Sequence, residues 1–161
     1  MSRTVVRRAL VAIALAHADA SAQVARIEYH PFNSATLGDV ELLTGKEGRP
    51  VTLAGELRIP RAGSDKLPAV ILLHGMSGVG GTGWMPDVWV PELNQIGIAT
   101  FSVDGLSGRG LTTASGMGAL FMVVDAYRAL ELLAKHPRID RDRIALMGFS
   151  RGGTGQTYSG L

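Results

Sequence analysis

The 161-residue sequence contains no cysteine, so it forms neither a disulfide nor a thiolate metal centre and offers no thiol to carry a lipid anchor. That absence leaves export open; it only means that stability outside the cell would not rest on disulfides. The apolar run Ala9–Ala16 is too short to span a membrane, which takes about 20 residues, so no stable membrane anchor is expected. One-sided charge is missing as well. The formal net charge is +2, and Arg3, Arg7, Arg8 and Asp19 account for all of it, so residues 23–161 are balanced. A balanced surface gives no reason to expect nucleic-acid binding. No internal repeat, low-complexity tract or linker divides the chain. What is present, 46% hydrophobic and 19% charged residues, is the composition of one globular domain able to bury a core.

Residues 1–22 have their own logic. A basic start through Arg8 precedes the short apolar run, and Ala20-Ser21-Ala22 supplies small residues before Gln23. Basic residues on one side of the run and small ones on the other read as a secretory signal cleaved after Ala22, rather than as an alanine-rich first helix. The expectation is a secreted or periplasmic protein with a mature domain over 23–161.

Within that domain, Val24–Tyr29 reads as a short strand and Pro31–Gly38 as a turn-rich connection. A second short strand around Val40–Leu43 would then turn through Gly45–Pro50 into Val51–Pro60, which alternates apolar and polar residues as a half-buried strand does. Ala69–Leu73, Ile98–Val103 and Ile144–Met147 are apolar throughout, the mark of parallel strands covered on both faces. Between them lie a weakly periodic helix over Trp84–Ile96, limited by Pro86 and Pro91, and a strong one over Met117–Lys135 stopped by Pro137. Strands alternating with helices imply right-handed crossovers and an α/β fold with an open, mostly parallel sheet.

Two of the apolar strands end in chemistry-bearing motifs. His74-Gly75-Met76-Ser77-Gly78 closes one, and Gly148-Phe149-Ser150-Arg151-Gly152 closes another. The second is the G-x-S-x-G pattern of a strand-to-helix turn that exposes a serine hydroxyl. Among 21 glycines such a pattern can arise by chance, but the strand before it and the first motif upstream argue otherwise. Together with His136-Pro137-Arg138-Ile139-Asp140 and the run from Arg143 into Ser150, these motifs make Val51–Gly153 resemble the α/β-hydrolase fold, and within it the dienelactone hydrolase family and related secreted serine esterases.

That resemblance implies a serine hydrolase acting on a small-molecule ester or lactone through an acyl-enzyme. Ser150 would be the nucleophile. The backbone N–H groups of Arg151 and Met76 would form the oxyanion hole, with His74, Gly75 and Ser77 in the adjoining substrate loop. Histidine 74 is expected to brace that loop rather than act as a base. Asp104 reads as a turn residue, and the loop Gly105–Gly118 with Arg109 either lines the pocket or is a plain connection. His136 reads as a surface histidine capping the preceding helix. Trp84 and Trp89 could wall an acyl site, although packing is the simpler role. No cofactor is implied, and no metal, because His17, His30, His74 and His136 are scattered in sequence. Gly78–Gly83 lacks the Lys-Ser/Thr ending of a phosphate-binding loop.

In the resembled fold an acid and a histidine follow the serine, whereas the residues after Ser150 include neither. The expectation is a partial α/β-hydrolase domain, truncated past the nucleophile, with a poor helix at the elbow because of Gly152, Gly153, Gly155 and Gly160. The alternatives are a serine peptidase or acyl-transferase on the same fold, or a non-catalytic binding domain. Nothing in the sequence sets the oligomeric state.

Overall fold

The computed structural model describes residues 24–61, 66–81, 85–118 and 120–160. The leader over 1–22, His17 and Trp84 lie outside these. Five strands form one sheet: β1 (Val24–Thr36), β2 (Arg49–Pro60), β3 (Leu67–Leu73), β4 (Ala99–Asp104) and β5 (Ile139–Gly148), in the order β1-β2-β4-β3-β5. Strand β2 runs antiparallel to β1 and β4, while β3 is parallel to both β4 and β5. The sheet is therefore mixed, with a parallel centre as the apolar strands predicted.

The register explains why the core sits on one face. Leu57 pairs with Phe101, Phe101 with Ile71 and Ile71 with Leu146, a row crossing four strands at one level. All four side chains are buried, and helix α4 (Phe121–Leu133) lies over the cluster they belong to, adding Phe121, Met122, Ala126, Ala129 and Leu133. Their spacing puts them on one helical stripe, the pattern that buries a surface helix against a sheet. On the opposite face Leu72 packs with Val90 of the short helix α3 (Val90–Gln95), which continues a π-helical turn over Met85–Trp89.

Three local expectations are corrected. Strand β1 does not stop at Tyr29 but continues through Pro31 to Thr36, 13 residues in all. Proline is tolerated there because β1 is an edge strand, whose outer side needs no donor. The expected strand at Val40–Leu43 is a one-turn helix, α1 (Asp39–Leu43), so β1 and β2 are joined through a helical turn. The elbow helix, α5 (Arg151–Ser159), forms despite its glycines. Its buried residues Gly152, Gly155 and Ser159 fall at i, i+3 and i+7, a stripe of small side chains. A Cβ on Gly155 would lie 3.3 Å from Met122 Cβ of α4, so these glycines permit close packing that offsets their propensity cost. Helix α2 (Gly78–Gly81) and a 3-10 turn over Ser107–Arg109 complete the described elements.

Candidate active site

At the end of β5 the chain turns sharply into α5, and Ser150 makes the turn at φ 52° and ψ −113°. It is the one non-glycine with positive φ among the described residues. Such a conformation costs on the order of 1–3 kcal/mol and persists only where the surroundings enforce it. The surroundings here are backbone. A Cβ on Gly148 would stand 2.1 Å from the Gly152 carbonyl oxygen, and one on Gly152 would stand 2.2 Å from that of Leu73. The Phe149 N–H donates to the same Leu73 carbonyl at 3.1 Å, and the Gly148 N–H to Gln156 Oε1 at 2.9 Å. Strand β3, the turn and α5 are thus clamped together with no room for side chains.

Ser150 occupies the N-cap position of α5 yet makes no side-chain cap bond. A serine at this position ordinarily spends its hydroxyl on the N–H of the second or third helical residue. The positive φ aims it elsewhere, and no described residue bonds its Oγ. Arg151, the first helical residue, has no intrahelical acceptor for its N–H by position. Its guanidinium reaches back to the carbonyls of Met117 and Gly118 at 2.7 and 3.1 Å, tying the elbow to the loop that leads into α4.

After β3, His74 is 1% exposed and both ring nitrogens face backbone: Nδ1 lies 2.6 Å from the Gly75 carbonyl oxygen, and the Gly105 N–H donates to Nε2 at 3.1 Å. Nε2 accepts, so Nδ1 carries the proton and the ring is neutral. Burial, the largest influence, pushes its pKa below the ordinary imidazole value, outweighing the Gly75 carbonyl and the charges of Asp104 and Asp125. His74 therefore presents no nitrogen to a substrate; it orients a peptide. The Gly75 carbonyl is drawn inward, and in a planar trans peptide the N–H of Met76 then points the opposite way. The next peptide is pinned too, since the Met76 carbonyl accepts from the Ala114 N–H at 2.8 Å. Gly75 is buried beneath this turn, while Met76 and Ser77 are exposed beside it.

Asp104, at the end of β4, takes the N–H groups of Leu106 and Ser107 on Oδ1 at 3.0 and 2.9 Å. Burial raises its carboxyl, but the bonds from Ser107 and Leu106 outweigh burial and hold it below the usual aspartate range. It anchors the turn. Arg109 is the residue whose role the sequence hid. Its guanidinium is 1% exposed and uses every donor: Thr36 Oγ1, the Ala35 and Gly105 carbonyls, and both oxygens of Asp125 at 2.8 and 2.9 Å. Ser34 donates to Asp125 as well. Neither pocket-lining residue nor plain connection, Arg109 is a buried clamp joining the end of β1, the loop after β4 and α4. Because the same Gly105 bonds His74 through its N–H, the clamp reaches the Gly75–Met76 peptide. The signal in the sequence was an Arg in a glycine-rich loop and an Asp inside an apolar helix, each unremarkable without the other.

His136 is not a helix cap. It lies beside Glu28 with Nε2 3.2 Å from Oε2, and His30 approaches the same oxygen at 2.6 Å, so two of the histidines that look scattered in sequence meet in space. This cluster follows the C-terminal end of α4, where β5 starts, whereas Ser150 follows the end of β5. The structure thus brings Ser150, Arg151, Gly75 and Met76 to one edge of the sheet and leaves His30 and His136 at the other.

No protein-family model and no curated protein matches the sequence. Solved structures match in fold. A hyperthermophilic esterase from the archaeon Pyrobaculum calidifontis shares 25% identity at a TM-score of 0.57 over 87% of this chain and 39% of its own. A dienelactone hydrolase-like promiscuous phosphotriesterase from metagenomic libraries shares 17% at 0.56, over 83% of this chain and 53% of its own. An acetyl xylan esterase from a Paenibacillus species shares 21% at 0.53, over 68% and 40%. The chain spans about half the length of such structures or less. Over that part it has the α/β-hydrolase fold.

Proposed function

We propose that the protein is a serine hydrolase of carboxylic esters or lactones, and that this chain carries its nucleophile and oxyanion hole. The observation that carries the reading is Ser150: strained, at a helix N-terminus, and not spending its hydroxyl on the cap. Its Oγ attacks the acyl carbon and passes its proton to a base. The oxyanion that forms takes the N–H groups of Arg151 and Met76. Collapse breaks the bond to the alkoxide, which picks up the proton, and water then releases the acid from the acyl-serine. For a lactone the leaving hydroxyl stays tethered to the acyl group.

The base is not among the described residues. Both nitrogens of His74 are committed to backbone, and His30 and His136 belong to the other edge. We infer that the base and its acid partner lie outside the described residues. Residues 1–22, read as a signal, support a place outside the cytoplasm.

Hydrolysis of p-nitrophenyl acetate by the full-length enzyme with its base and acid present, against its Ser150→Ala form, tests this. We expect kcat to fall by about 10⁴-fold or more in the variant. Equal turnover by both forms sinks the assignment, and absence of turnover in the wild type leaves the non-catalytic binding domain as the better reading.

A further inference from the structure

We propose that Glu28, His30 and His136 form a binding site for one divalent transition-metal ion of the Zn²⁺ type, which fastens edge strand β1 to the turn between α4 and β5. Each of the three side chains offers one ligand atom within 4.8 Å of the other two, and both histidine Nε2 atoms lie against Glu28 Oε2. Bonds of about 2.0–2.1 Å to a tetrahedral Zn²⁺ separate its ligands by roughly 3.4 Å. Two of the pairs already stand at 2.6 and 3.2 Å, so the site closes by small rotations of its side chains.

Two imidazoles and one carboxylate are a donor set that favours Zn²⁺, Ni²⁺ or Cu²⁺ over the oxygen-seeking Mg²⁺ and Ca²⁺. Three protein ligands leave a fourth position for water. The set is also placed where a metal gains from its surroundings. The Glu28 and His136 side chains are 15% and 8% exposed, and the His30 ring stands edge-on to that of His136 with centroids 5.7 Å apart. The Glu28 carboxylate is already addressed by His30, His136 and Arg26, which hold its oxygens in place. Arg26 holds the other oxygen, Oε1, from a 62% exposed position, which leaves Oε2 to the metal.

Proton positions must change, and they balance. At present both Nε2 atoms address a single carboxylate oxygen. A metal on Nε2 leaves each neutral ring its proton on Nδ1. For His136 this means giving up the 3.2 Å bond that its Nδ1 accepts from the Arg138 N–H, an exposed turn contact that water replaces. The metal substitutes one shared ligand for two hydrogen bonds converging on one oxygen. The site lies at the edge of the sheet away from Ser150 and takes no part in acyl transfer.

The test is titration of the whole chain with Co²⁺ alone and then with Zn²⁺. One equivalent of Co²⁺ should bind with the strong visible bands of four-coordinate cobalt, and Zn²⁺ should displace it and raise the melting temperature. His30→Gln and His136→Gln, checked for folding by circular dichroism, should each weaken binding by about 100-fold or more, since loss of mere outer-shell partners already costs 10–100-fold. His17→Gln and Ser150→Ala should bind as the wild type does. No saturable one-to-one binding by the wild type overturns the proposal, as does binding unchanged in His30→Gln and His136→Gln or lost in His17→Gln.

Discussion

At the scale of the residue, the account turns on two side chains with opposite constraints. Ser150 carries backbone strain on the order of 1–3 kcal/mol at φ 52°. Glycine adopts that conformation freely at an entropic cost of about 0.5–1 kcal/mol, so relief wins. Ser150→Gly should therefore stabilise the fold by about 1 kcal/mol while Ser150→Ala leaves it nearly unchanged, which urea unfolding would reveal. His74 is neutral and buried, with a pKa below the ordinary 6.5. The unfolded chain then binds the proton more readily, so stability is full above about pH 6.5 and falls as pH drops below it. Melting temperatures at pH 8 and pH 5.5 should show that fall, and His74→Ala should flatten it. If His74 orients the Gly75–Met76 peptide, the same substitution in the complete enzyme should cost about 10²–10³ in kcat with KM little changed.

At the scale of the element, the elbow is a close approach of β3, β5 and α5. Gly152→Ala forces a Cβ to within 2.2 Å of the Leu73 carbonyl oxygen, a backbone atom that cannot rotate away. We expect a loss of about 2 kcal/mol or more, the upper part of the overpacking range, read as a lower urea midpoint. The Arg109–Asp125 clamp is the second joint. Asp125→Asn leaves a guanidinium buried without its counter-charge and should cost about 3–5 kcal/mol, whereas replacing Arg109 and Asp125 together by apolar residues should cost less. A double-mutant cycle measures that difference. These joints also mark the limit of the sequence. Ala69–Leu73 was legible because a parallel strand buried on both faces needs apolar residues throughout. Ile144–Met147 was legible as a strand by the same pattern, but as part of β5, an edge strand among the described residues, only its Leu146 is buried and Ala145 is exposed. The extension of β1 through Pro31 was not, because an edge strand tolerates residues that a central strand refuses. Pairings such as Arg109 with Asp125, or Glu28 with His136, join positions distant in the chain, and no local pattern encodes them.

At the scale of the whole molecule, the fold class and the strand-to-helix turn at Ser150 could be read in advance because both rest on short-range patterns. The bracing of the turn around Gly75 by His74 was expected, but the partner that fixes the ring, Gly105, was not, because it comes from a different strand end. Among the described residues the sheet ends in β5, and no described strand pairs with its outer edge. Its first half carries Arg141, Asp142 and Arg143, all exposed, but the second half runs Ile144-Ala145-Leu146-Met147. Charges protect an edge and apolar runs invite pairing, so self-association through the second half is expected. Sedimentation of the chain should show concentration-dependent species that diminish in Ala145→Lys.

The central claim is that Ser150 is a nucleophile held ready by its backbone. Intact-mass spectrometry after treatment with a fluorophosphonate probe tests it most directly, using the full-length enzyme with its base and acid present, and its Ser150→Ala form. The account predicts one adduct per chain, located on Ser150 and absent from the variant. An unmodified wild type, or an adduct that persists in Ser150→Ala, would contradict it.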